Sequence, residues 1–216
     1  MKKIINCLKE NNPILNKKLR TVSVEEGLEI AKELLEILVE RKDAIGLAAN
    51  QIGIDAAVAV VNVSEPVILI NPEVIDVWDE IPYYEGCLSF KGKNVNTKRY
   101  KNIVIKTTQE ESQLYFSGTS NSIDGKGSWE QESSDKQDEE LRLLEAICVQ
   151  HEIDHLNGMT IMDRQLVTTI RNENKLGRNE KIYITDGEDI KWLKYKKAKS
   201  LIDSGEWEIY IGGPIT

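Results

Sequence analysis

The chain's two histidines stand four residues apart, in His151-Glu-Ile-Asp-His155. On an α-helix this spacing brings both imidazoles to one side, where a single metal ion can bind them, with the intervening Glu152 beside them. Around them Leu141, Leu144, Cys148, His151 and His155 advance by three, four, three and four residues. The pattern predicts a helix from about 139 to 157 with both histidines on its buried stripe, and Gly158 as the residue that ends it. Buried imidazoles need partners, so the core must be built around this helix.

The rest of the chain supplies enough elements to enclose it. Ser23 and Glu26 form a capping-box pattern, and Leu28, Ala31, Leu35 and Leu38 predict an amphipathic helix over 24–42. Strand-like runs follow at 56–63, 67–70 and 74–78, then a hairpin from 95–98 and 103–107, then a strand near 113–116. The window 109–140 carries nine acidic residues against two lysines, and its middle is rich in glycine and serine. It reads as a solvated insertion at about 109–138, with 118–136 mobile and dispensable. Beyond 168 the pattern changes to short strands and lysines, a small β-rich or mixed appendage over 169–216. The expected organisation is therefore an α+β domain over 1–168, with antiparallel or mixed sheets around a central metal-binding helix, plus the appendage.

With 40% apolar residue types the chain can bury a real core. No run approaches the roughly 20 apolar residues that cross a bilayer, and the basic start at Met1 is too short for a secretory signal. A net charge of −8 disfavours direct binding to nucleic acid or anionic membranes. Three widely spaced cysteines fit a reducing compartment, so a cytoplasmic location is expected.

A catalytic metal needs a third protein ligand and an open position. No histidine follows His155, though Glu173, Glu180, Glu188, Glu206 and Glu208 do; the better candidate is Cys87, upstream in Glu85-Gly-Cys-Leu-Ser89. A lone cysteine is also commonly a small buried hydrophobe, and Gln51 serves equally well as a cap for the strand after it. Gly46 and Gly86 read as positions of close backbone approach, where an extended peptide could pair in strand fashion.

Three segments, Gly46-Leu-Ala-Ala-Asn-Gln51, Glu85-Gly-Cys-Leu-Ser89 and Gln150-His-Glu-Ile-Asp-His-Leu-Asn-Gly158, resemble in order the three signature motifs of peptide deformylases. The resemblance covers about 10–168. It implies a hydrolase that removes the formyl group from N-formylmethionyl nascent peptides. Cys87, His151 and His155 would hold one divalent metal, natively Fe(II), with zinc, nickel or cobalt accepted. Glu152 would be the general base and then the acid. Gln51 and the Leu88 N–H would form the oxyanion hole, and Arg99 would brace Glu85. Ile45, Leu144, Ile147, Cys148 and the His151 ring would take the methionine side chain. It also implies a monomer working near the ribosome of a bacterial, phage-infected or organellar system. The chain departs from the family pattern at Ala44, where a glycine is common, at Phe90-Lys91, where an apolar residue and proline are common, and at Tyr83, where an aromatic narrows the cleft or stacks on the peptide's second residue. Two rival readings are a metallopeptidase of other specificity and a non-catalytic metal or peptide-binding protein.

Overall fold

A computed structural model describes residues 4–5, 12–41, 43–118, 121–123, 129–131, 136–166, 177–179, 181–186 and 190–209. The chain divides into two compact units, Met1–Asp163 and Arg164–Thr216.

In the first unit, helix α1 (Val24–Glu40) starts at Ser23, whose side chain accepts the Glu26 N–H. Its buried stripe is Gly27, Ala31, Leu34 and Leu38, while Leu28 stays 46% exposed. The stripe is thus rotated by about one residue from the expected Leu28-Ala31-Leu35-Leu38. The cause is Gly27: a Cβ there would lie 2.7 Å from Ile70, so the missing side chain lets this face of the helix settle against the sheet.

Strands β1 (Gly46–Ala48), β2 (Val58–Asn62) and β3 (Pro66–Ile70) form an antiparallel sheet in that order. Alternate residues point to opposite faces. Val58 and Val60 pack with α1, while Ala59 and Val61 belong to a second cluster on the other side.

A second antiparallel sheet has the order β4 (Glu73–Gly86), β5 (Asn94–Lys106), β6 (Leu114–Ser117). The hairpin expected from 95–98 and 103–107 does not form; both runs belong to the continuous β5, paired along nearly its whole length with β4. The first strand likewise runs past Trp78 to Gly86. A polar stretch can stay in strand here because ladder hydrogen bonds, rather than an apolar face, hold it. A short hairpin, β7 (Asn121–Ile123) with β8 (Trp129–Gln131), lies in the acidic segment. The expected mobility of 118–136 otherwise falls outside the described residues.

Helix α2 (Lys136–Leu156) lies between the two sheets. Ala146, Val149, Ile153 and Leu156 pack with Ala59 and Val61 of one sheet and Ile103 and Ile105 of the other. From Ala146 to Leu156 every residue is buried except half-buried His151. Leu141, expected on the buried stripe, is 40% exposed, because enclosure begins only in the helix's third turn. The helix therefore has no single buried stripe in this half; it is surrounded.

Gly158 ends α2 with φ +75°, and a Cβ there would lie 2.5 to 2.8 Å from the Lys17 backbone. Gly158→Ala is expected to destabilise the protein by more than about 1 kcal/mol, since it adds strain and a backbone collision. Urea unfolding checks this.

The second unit contains β9 (Lys181–Thr185), β10 (Ile190–Lys194), helix α3 (Tyr195–Asp203) and β11 (Glu208–Ile209), with sheet order β10-β9-β11. The lysine-rich stretch is helical: Ala198 is buried against Ile182 and Ile184, while Lys196, Lys197 and Lys199 are exposed. The unit is mixed rather than β-rich.

Candidate active site

One end of α2 faces a cleft of about 470 Å³ whose walls come from all three motif segments. The approach to β1 and the turn after it provide Ile45, Gly46 and Gln51; β4 and the turn after it provide Tyr83, Glu85, Gly86, Cys87 and Leu88; α2 provides Leu144, Ile147, Cys148, His151 and Glu152. His155, one helical turn on, is 1% exposed and turns its Nε2 to Cys87 Sγ at 3.2 Å. Ligand atoms of Cys87, His151 and His155 lie within 4.8 Å of one another.

These three donors suit a divalent metal. Burial raises the Cys87 thiol's pKa, but the charge of His155 and hydrogen bonds from His151 and His155 outweigh it and hold the thiol well below its usual range. A half-buried thiol held towards its thiolate form, with two imidazoles beside it, is a soft set of three donors that would hold such a metal at the cleft.

His151 is oriented from behind. Its Nδ1 meets Glu85 Oε2 at 3.1 Å, which leaves Nε2 for the cleft. Glu85 also accepts from Thr97 Oγ1 at 2.6 Å and from Arg99 Nε at 2.8 Å and Nη2 at 2.6 Å. Burial works against the Glu85 carboxylate, but His151, Arg99 and Thr97 together bring it down to about 2. Arg99 reaches further than the sequence suggested: its Nη1 donates to Asp154 Oδ2 at 2.5 Å. Asp154 and Thr97 were not among the expected site residues. Nothing in its spacing marks Asp154, whose partner Arg99 is 55 residues away in sequence.

Gln51 is in a short 3₁₀ turn, Ala49–Ile52. Its Oε1 accepts the Ala48 N–H at 2.9 Å, so its Nε2 points the other way, 3.7 Å from Cys87 Sγ and 3.3 Å from Ser89 Oγ. The side chain caps its own turn, not the following strand, and presents N–H groups to the cleft. Neighbouring Asn50, fully buried, donates from Nδ2 to the His155 carbonyl at 2.7 Å and ties this turn to the ligand helix. Leu88 opens the short turn Leu88–Phe90 at the cleft.

Glu152 is 3% exposed, and its Oε2 has no hydrogen-bond partner among the described residues. Burial is the main cause that pushes this carboxyl up, to about 7, against the pull of His151 and His155. Cys148 Sγ faces the Ile45 carbonyl at 3.6 Å; burial, then Glu152, pushes this thiol well above its usual range. It is a wall of the cleft, not a thiolate.

Gly46 has no room for a side chain: a Cβ would collide with Glu152 Oε1 and lie 2.6 Å from Cys148 Sγ. Gly46→Ala is expected to displace the carboxylate and lower kcat about 10²-fold with the far-ultraviolet circular dichroism unchanged. An unchanged kcat would show that the strand yields instead. Gly86 is similarly close, with a Cβ 2.6 Å from Asn94 Oδ1.

The sequence matches the polypeptide deformylase family over residues 3–121 and 126–172. The chain belongs to this family. A peptide deformylase from Dictyoglomus thermophilum is 35% identical over 170 residues, covering 77% of this chain and 96% of that protein. One from Dictyoglomus turgidum is 32% identical over 176 residues, covering 80% and 99%. The crystal structure of the Thermotoga maritima peptide deformylase superposes with a TM-score of 0.55 at 27% identity, covering 76% of this chain and 97% of that one. The fold is thus the α+β fold of peptide deformylases, and the chain is a metal-dependent hydrolase that removes the N-formyl group from nascent peptides. Among the described residues no helix is long and apolar enough to cross a membrane.

Proposed function

We propose that deformylation runs through Cys87, His151 and His155 as ligands of one divalent metal, Fe(II) in the cell, with Glu152 carrying the proton. The observation that supports this most is the convergence of those three ligand atoms within 4.8 Å beside a buried Glu152 oxygen that has no hydrogen-bond partner among the described residues. When bound, the metal supplies water activated at neutral pH and an electrophile for the formyl oxygen. Glu152 would take a proton from the attacking water as its oxygen bonds to the formyl carbon, and would return that proton to the amine as the C–N bond breaks, so that the products are formate and a free amino terminus. Gln51 Nε2 and the Leu88 N–H donate to the oxygen that gains charge. Ile45, Leu144, Ile147 and Cys148 receive the methionine side chain, with Tyr83 across the cleft.

The soft thiolate favours ferrous iron and makes oxidation a hazard. The reading includes a monomer in the cytoplasm, working on peptides as they leave the ribosome. X-ray absorption on anaerobically purified protein tests the ligand set. The expected result is iron with one sulfur and two nitrogen neighbours from protein, and activity that falls in air. A shell without sulfur would overturn the assignment of Cys87, and an air-stable zinc protein of full activity would overturn that of iron.

A further inference from the structure

The deformylase cleft changes character between floor and mouth. Gln51 and Glu152 at the floor are buried, whereas Asp43, Lys91 and Asn94 at the mouth are exposed. Arg41, half-buried, grips Asp43 in a two-point pair, with Nε to Oδ1 at 3.1 Å and Nη2 to Oδ2 at 2.8 Å. Arg41 by hydrogen bonding, and Lys91 through space, lower the pKa of the Asp43 carboxyl. Among the described residues the mouth therefore sets two cations against one carboxylate, in a chain whose net charge is −8. Glu85 lies deeper, buried and paired with Arg99 and His151, so it is not part of this exposed mouth.

Two strand segments flank this mouth. Arg41 and Asp43 lead into β1 on one side, and Lys91 follows the end of β4 on the other. A peptide held with its formyl group at the floor runs outward in an extended form, advancing about 3.3 Å per residue. Its side chains beyond the methionine would then pass between the segments that carry Arg41 and Lys91.

Building on the deformylase reading, we propose that Lys91, together with Arg41 fixed by Asp43, makes this enzyme select formyl-methionyl peptides with a carboxylate at their second or third residue over those with a basic side chain there.

The test compares formyl-Met-Xaa-Ser and formyl-Met-Ala-Xaa, both as C-terminal amides, with Xaa as Glu, Ala or Lys at low ionic strength. At one of the two positions kcat/KM is expected to favour Glu over Lys about fivefold, the scale of exposed charge pairs. The difference should sit in KM rather than kcat and shrink at high salt, as uniform, screened binding requires. Lys91→Glu is expected to reverse the order. Lys93→Glu, a charge change outside the cleft lining, should leave it intact. Equal values for Glu and Lys at both positions, or an order that Lys91→Glu does not move, would overturn the proposal. Failure to release formate from any of these peptides would instead overturn the deformylase reading on which it rests.

Discussion

Arg99→Met is expected to destabilise the protein by about 3–5 kcal/mol, the range for removing one partner of a buried ion cluster. Arg99 is 2% exposed, and its guanidinium is the shared partner of two buried carboxylates, Glu85 and Asp154. Methionine fills similar volume, so the loss isolates the charge. Glu85 and Asp154 then face each other's charge without a cation between them, and each must either stay charged in the core or take up a proton. The site should suffer too, because Glu85 loses the bonds that hold it against His151 Nδ1. Urea unfolding of the metal-free protein measures the first effect and metal affinity measures the second. Arg99→Lys keeps the charge but offers a point donor in place of a fork, so it should fall between. A change below about 1 kcal/mol in Arg99→Met would show that the cluster is not a structural hub.

Glu152→Ala is expected to lower kcat by about 10²–10⁴-fold, the usual contribution of a positioned acid–base group, while the protein keeps its metal. The reason for the separation is geometric. Glu152 lies beside the ligand set without belonging to it, and among the described residues its Oε2 has no hydrogen-bond partner whose loss would disturb the fold. Burial also makes it a costly residue to keep charged, so removal should not reduce stability, and a gain would be consistent. Formate release and metal content measured on the same preparation check both parts. Retained turnover would remove Glu152 from the chemistry; lost metal would recast it as a ligand.

Much of this site could be read before the structure, and the reason is local. The two histidines fall on one side of α2 by helical arithmetic alone, and Cys87 and Gln51 came from motif order. What stayed hidden depended on burial and long-range pairing. The β4–β5 ladder could not be seen because residues 79–86 and 94–101 do not alternate apolar and polar, and Asp79 adopts φ +60° within the strand. The rotation of α1 followed from the close approach at Gly27 to Ile70, a contact between elements that a periodicity count does not contain. Asp154 was missed because helical spacing alone marks it as an ordinary charged neighbour; its meaning comes from Arg99, 55 residues away in sequence. Asn50, likewise, is a polar turn residue until its amide is found on the His155 carbonyl.

The central claim is that a metal held by Cys87, His151 and His155 makes this chain a working deformylase. The most direct measurement is formate release from formyl-Met-Ala-Ser by anaerobically prepared protein, with metal content determined on the same sample. The expected result is turnover at one metal per chain, abolished by chelation and restored by ferrous iron. Stoichiometric metal without formate, or formate release that survives complete removal of the metal, would contradict the claim.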